Sequence, residues 1–89
     1  MRKSNIGSIL NSYLGSRKLI PMNIIKEVLH EKGVKQTWLS EKLGKSYTQV
    51  NAYVQNRKQP RLEVLYAIAE LLNVDVKSLL ISNVEENNK

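Results

Sequence analysis

Residues 36–55 read QTWLSEKLGKSYTQVNAYVQ, and the order of residue types in that stretch decides the fold. Trp38, Leu39 and Leu43 are the apolar positions of a short first segment. Gly44 follows; lacking a β-carbon, it takes the left-handed conformation that stops a helix at no steric cost. Two residues later Ser46-Tyr-Thr-Gln49 fits a capping box. The Ser46 hydroxyl can accept from the N–H of residue 49 while the Gln49 side chain reaches back. Val50, Tyr53 and Val54 then share one face of a second helix. Two short helices separated by a tight glycine turn need a small residue where they cross, and Ser40 supplies it.

A helical wheel divides the second helix into two faces. With Val50 at the centre, Val54 and Tyr53 fall about 40° and 60° to either side, at about 100° per residue. Thr48, Ala52 and Gln55 lie opposite, Gln49 and Asn51 on the flanks, and Tyr47 in the first turn. This outer face carries no charge, whereas a merely solvated face more often carries Lys and Glu. Asn and Gln can bond adenine bidentately, and Thr or Ala can touch the thymine methyl. Lys42 and Lys45 precede the helix and Arg57, Lys58 and Arg61 follow it, where phosphates lie beside a helix docked in a groove. The unit is thus a helix-turn-helix with a reading face. The competing interpretation is a small helical bundle with a polar surface.

Working outward, the spacing predicts helices almost everywhere. Over 4–14, Ile6, Ile9, Leu10, Tyr13 and Leu14 form one face, with Gly15 as a stop. Asn23 can cap a helix containing Ile24, Ile25, Val28 and Leu29, which Gly33 ends. After the polar turn 56–60 a helix over 61–72 directs Leu62, Leu65, Tyr66, Ala69 and Leu72 inward. Asn73 takes the left-handed position behind it, and Asp75 caps a last short helix with Val76, Leu79 and Leu80. The expected division is a basic, amphipathic extension over 1–21, a DNA-binding domain over 22–82 and a flexible tail over 83–89. The face at 4–14 must bury somewhere: on its own domain, or in a dimer contact. Otherwise 1–20 is a mobile arm whose Arg2, Lys3, Arg17 and Lys18 track phosphates.

Composition narrows the chemistry. The chain has 89 residues, no cysteine, one histidine (His30) and a net charge of +6. Twelve of its fourteen Lys and Arg fall within residues 1–61 alongside three acids, so the first two thirds is the candidate for a polyanion. Charge alone admits nucleic acid, an anionic membrane or mere solubility. No apolar run approaches the ~20 residues of a membrane span, and no signal core follows the N-terminus, so a cytoplasmic protein is expected. There is no thiolate or His-pair metal spacing, no Gly-rich phosphate loop and no carboxylate pair, so no enzyme, metal or cofactor is expected. Glu27 and Glu31 read as solvated neighbours, and His30 as an exposed residue at a helix end. Tyr53 and Tyr66 read as core residues with their hydroxyls reaching solvent. Trp38 reads as a packing residue, or as a contact with the N-terminal segment or a second subunit.

The run from Lys35 to Leu80, KQTWLSEKLGKSYTQVNAYVQNRKQPRLEVLYAIAELLNVDVKSLL, resembles the Cro/repressor-type (XRE-like) helix-turn-helix domain, the likeness extending over 22–81. Gln36, Leu39, Glu41-Lys-Leu-Gly44, Ser46, Val50, the Asn-Arg-Lys turn, Pro60 and Asn73-Val-Asp-Val carry it. The resemblance implies an all-α, five-helix repressor-like bundle that binds operator DNA as a two-fold dimer on a palindrome. By position it implies base contacts from Gln36, Tyr47, Thr48, Asn51 and Ala52. Phosphate contacts would come from Lys35, Lys45, Ser46, Gln49, Arg57, Lys58 and Arg61. Lys35 and Arg61 stand where the pattern favours Ser or Thr caps, each costing ~1 kcal/mol of helix stability but adding positive charge. Ser40 replaces the usual Ala, and bulky Tyr47 alters the base preference. A transcriptional repressor of phage or mobile-element type is expected; the alternative is an antitoxin-like module that binds a partner protein such as a toxin.

Overall fold

A computed structural model describes residues 21–83, and the expected helix over 4–14 and most of the tail lie outside them. Four α-helices follow one another: α1 (Ile25–Lys32), α2 (Gln36–Leu43), α3 (Tyr47–Val54) and α4 (Leu62–Leu72). A 3-10 turn over Val76–Leu79 stands where the fifth helix was expected. Among the described residues there is no strand beyond one antiparallel bridge, Asn23 to Leu80.

Each boundary has a chemical cause. The Asn23 side chain accepts from the N–H of Ile25 at 3.0 Å, so α1 starts with one orphan donor satisfied. Gly33 and Gly44 close α1 and α2 in the left-handed region, at φ 67° and 68°. Behind each, the next N–H folds back on the helix, Val34 to Leu29 O and Lys45 to Ser40 O. Ser46 opens α3 with both bonds of the expected capping box. Asn73 closes α4 at φ 58°, and Asp75 caps the 3-10 turn by accepting from Lys77 N–H at 3.0 Å. Lys35 and Arg61 occupy N-cap positions without a side-chain cap, as their chemistry requires.

The core is a convergence of all five elements. Its five most completely buried large side chains are Ile25, Leu39, Val50, Ile68 and Leu79, one from each. Ser40 is buried, with its hydroxyl donating to Thr37 O at 2.9 Å. Tyr53 is buried as expected. Leu62 and Tyr66 are not: they are 66% and 55% exposed. The inward row of α4 is Leu65, Ile68, Ala69 and Leu72. At about 100° per residue Tyr66 falls outside that arc, and Leu62 sits in the first turn at its margin. Trp38 is also exposed, beside a groove that includes Val34 and Thr37.

The chain ends of the domain are fastened by polar groups as well as by the core. Ile24 N–H donates to Leu79 O and Ile81 N–H to Met22 O, which makes the bridge. On the other edge of residue 23 the partner is a side chain. Asn56, itself left-handed at φ 60°, accepts at Oδ1 from the N–H groups of Met22 (2.8 Å) and Asn23 (3.0 Å). Its Nδ2 donates to Asn23 O at 3.0 Å. The buried Asn23 amide in turn donates to Tyr53 O and to Gln59 Oε1, at 3.1 and 2.7 Å. Gln59 completes the circuit by donating to Asn56 Oδ1 at 3.0 Å. Asn56→Gly keeps the left-handed backbone but deletes the amide. It is expected to cost about 1–2 kcal/mol, since the bonds it deletes are part-buried or exposed and a hydrogen bond contributes about 0.5–1.5 kcal/mol net. Asn56→Ala should cost about 1 kcal/mol more, for the Cβ in that backbone region. Urea midpoints measure both; an unchanged midpoint in Asn56→Gly would show that the amide contributes nothing.

Candidate nucleic-acid interface

The buried face of α3 is Val50, Tyr53 and Val54, which leaves the opposite face outward. Tyr47, Thr48 and Gln49 are exposed, and Asn51, Ala52 and Gln55 are half-buried at its edge. Tyr47 is half exposed, with its ring standing at the first turn of the helix. The helix presents the uncharged surface that its wheel requires, and no described residue covers Thr48.

Gln36 enters this surface from the first position of α2. Its Nε2 donates to Asn51 Oδ1 at 3.0 Å, across fifteen residues of sequence. The bond restricts rotation of the Asn51 amide and leaves its Nδ2 and one oxygen lone pair available. Periodicity could not reveal the contact, because it depends on the angle at which two helices cross. The one sequence signal is that both positions carry amide side chains, Gln36 at the start of α2 and Asn51 in the second turn of α3.

The cations separate into groups. Lys45, Lys58 and Arg61 line one cleft of about 270 Å³ with Gln49. Tyr53, Gln59, Glu63 and Val64 form the rest of its lining. Four of the residues assigned to phosphate by sequence are therefore brought together here. Arg57 and Lys35 are exposed but line other surface. Lys42 turns toward Trp38, with Nζ 5.9 Å from the ring centroid, at the outer limit of a cation–π contact. Ser46 and Gln49 keep hydrogen-bond donors to offer outward despite capping α3. The hydroxyl accepts and so retains its proton, and Gln49 uses Oε1 and retains its amide protons.

The 56–60 turn delivers its cations to the end of α3. The N–H groups of Arg57 and Lys58 both donate to Ala52 O, at 2.9 and 3.2 Å. Their side chains thus start beside the negative end of the α3 dipole, where cations are stabilised. Asn56 and Gln59, by sequence no more than part of a polar turn, set that position. Asn56 in the left-handed region was foreseeable, since Asn tolerates it better than most residues; its pairing with Asn23 was not. Among the described residues no group of His, Cys, Asp or Glu could hold a metal ion, and no helix is long and apolar enough to cross a membrane.

Comparison with known proteins gives a consistent set of findings. A helix-turn-helix family model matches residues 25–79. Among solved structures, the chain is similar to a crystal structure from Bacteroides fragilis described as a "putative DNA-binding protein". Identity is 43%, the TM-score 0.67, and the likeness covers 67% of this chain and 97% of that one. No curated protein matches. The Gln36–Asn51 bond yields a test independent of any ligand. A double-mutant cycle with Gln36→Ala and Asn51→Ala, read by thermal unfolding, should give a coupling of about 0.5–1.5 kcal/mol. Strict additivity would mean that the two amides do not interact in solution.

Proposed function

The chain belongs to the helix-turn-helix family of the Cro/repressor (XRE) type, and on that premise we propose that it is a sequence-specific transcriptional regulator, a repressor of phage or mobile-element type, that places α3 in the major groove of operator DNA. The observation that carries this reading is the uncharged outer face of α3 with cations at both of its ends. Thr48 and Ala52 are suited to thymine methyls, and Tyr47 to a methyl or sugar at the groove edge. Asn51, oriented by Gln36, is suited to a bidentate contact with adenine. Lys45, Gln49, Lys58 and Arg61 take the backbone on one side of the groove, and Arg57 and Lys35 extend those contacts.

The regulator acts as a homodimer on a palindrome, with half-sites about one helical turn apart. Support for a second copy comes from Met22, Leu80 and Ile81. These apolar side chains stay exposed at the bridge and adjoin the Asn56 turn that carries Arg57 and Lys58. A two-fold axis through this patch sets the two basic turns near each other on one side of the dimer.

Selection of bound sites from random-sequence DNA tests the reading, and an inverted repeat is expected. Thr48→Ala and Asn51→Ala should each relax one base position by ~1–3 kcal/mol. Arg57→Ala should weaken all sequences alike and lower the salt slope by about one. A selection that enriches no site would remove sequence reading, and a single unrepeated half-site would remove the dimer.

A further inference from the structure

Tyr53 presents a buried polar group that the core does not use. The residue is 5% exposed, its ring is packed in the core, and among the described residues its hydroxyl has no hydrogen-bond partner. Buried tyrosine hydroxyls usually have one. Tyr53 also lines the cleft that holds Lys45, Lys58 and Arg61. None of those cations makes an ion pair with a described residue. Arg61 leaves the first-turn N–H groups of α4 without a side-chain acceptor, so the positive end of that helix faces the same region. Glu63 brings one carboxylate to the cleft, which leaves two net positive charges there. Gln59 uses its oxygen and one amide proton on Asn23 and Asn56, whereas Gln49 keeps both amide protons.

We propose that this cleft is a site for a single phosphate group, and that the Tyr53 hydroxyl donates to it from the floor while Lys45, Lys58 and Arg61 close over it. The ligand is a phosphodiester of the DNA backbone, so the site rests on the DNA-binding reading above and adds to it a residue otherwise assigned to packing. A neutral donor set among cations distinguishes this contact from the other phosphate contacts. Sequence-independent attraction comes from charge, whereas a buried hydroxyl adds a directional bond to an anionic oxygen, stronger than one between neutral partners. That fixes which phosphate is held, and with it the register of α3 along the groove.

The experiment pairs Tyr53→Phe with duplexes of the selected site in which one phosphate at a time is replaced by a neutral methylphosphonate. Phenylalanine keeps the ring in the core, and an unchanged melting temperature of the protein would establish that the fold is intact. Tyr53→Phe should weaken binding roughly tenfold with an unchanged salt slope, because no cation is removed. That loss should vanish on one particular methylphosphonate duplex and persist on the rest. Arg61→Ala should instead reduce the salt slope. Wild-type affinity in Tyr53→Phe, or an equal loss on every duplex, would overturn the proposal. Displacement of wild-type protein from DNA by low millimolar inorganic phosphate, but not by chloride of equal ionic strength, would assign the cleft to a free anion and overturn the phosphodiester. Absence of salt-dependent duplex binding by the wild type would remove the DNA reading itself, and this site with it.

Discussion

The side-chain amide of Asn56 takes the place of a strand. It offers Asn23 an acceptor and a donor in the arrangement that a neighbouring backbone would. The opposite edge of residues 22–24 is paired with the segment around Leu80. One amide therefore connects the entry to α1, the exit from the 3-10 turn and the loop that supplies Arg57 and Lys58. A loop of this kind is usually mobile. Here the Asn23–Asn56–Gln59 circuit fixes it from one side and the Ala52 carbonyl from the other. Preorganising cations in this way lowers the entropy lost on binding.

The same economy recurs at the start of α3. Ser46 and Gln49 satisfy each other's backbone N–H groups and still retain protons to donate outward. Gln36 joins the first turn of α2 to the second turn of α3. Because side chains assigned to the proposed DNA interface also fix the helix, that surface is structured before any ligand arrives. The reverse also holds, since losing such a side chain affects the helix as well as the contact.

Features governed by the local chain were legible in the sequence. Gly33, Gly44 and Asn73 end helices where left-handed residues must, and the Ser46–Gln49 box follows from spacing alone. The burial of Val50, Tyr53 and Val54 was legible from the wheel, and with it the outward face. In α4 the wheel admitted two rows. Periodicity chose the one through Leu62 and Tyr66, while packing against Leu79 and the other helices selected Ile68 instead. The amide contacts were not legible, because Asn23 and Asn56 are 33 residues apart in sequence and their pairing depends on the assembled fold. Nor could sequence show that Tyr53 has a buried hydroxyl without a partner, because the orphan is defined by what the neighbours fail to supply.

The two faces of α3 carry different structural obligations. Val50, Tyr53 and Val54 are committed to the core, and Asn51, Ser46 and Gln49 to bonds that shape the helix. Thr48 and Tyr47 have neither obligation: both are exposed, and among the described residues no hydrogen bond uses their side chains. Exchanging them costs little stability, because substitutions on such surface usually fall within about 0.5 kcal/mol. Under the DNA-binding reading proposed above, new target sequences can be acquired by changes at these two positions while the scaffold stays constant, so that a regulator and its operator can diverge together without passing through an unfolded ancestor.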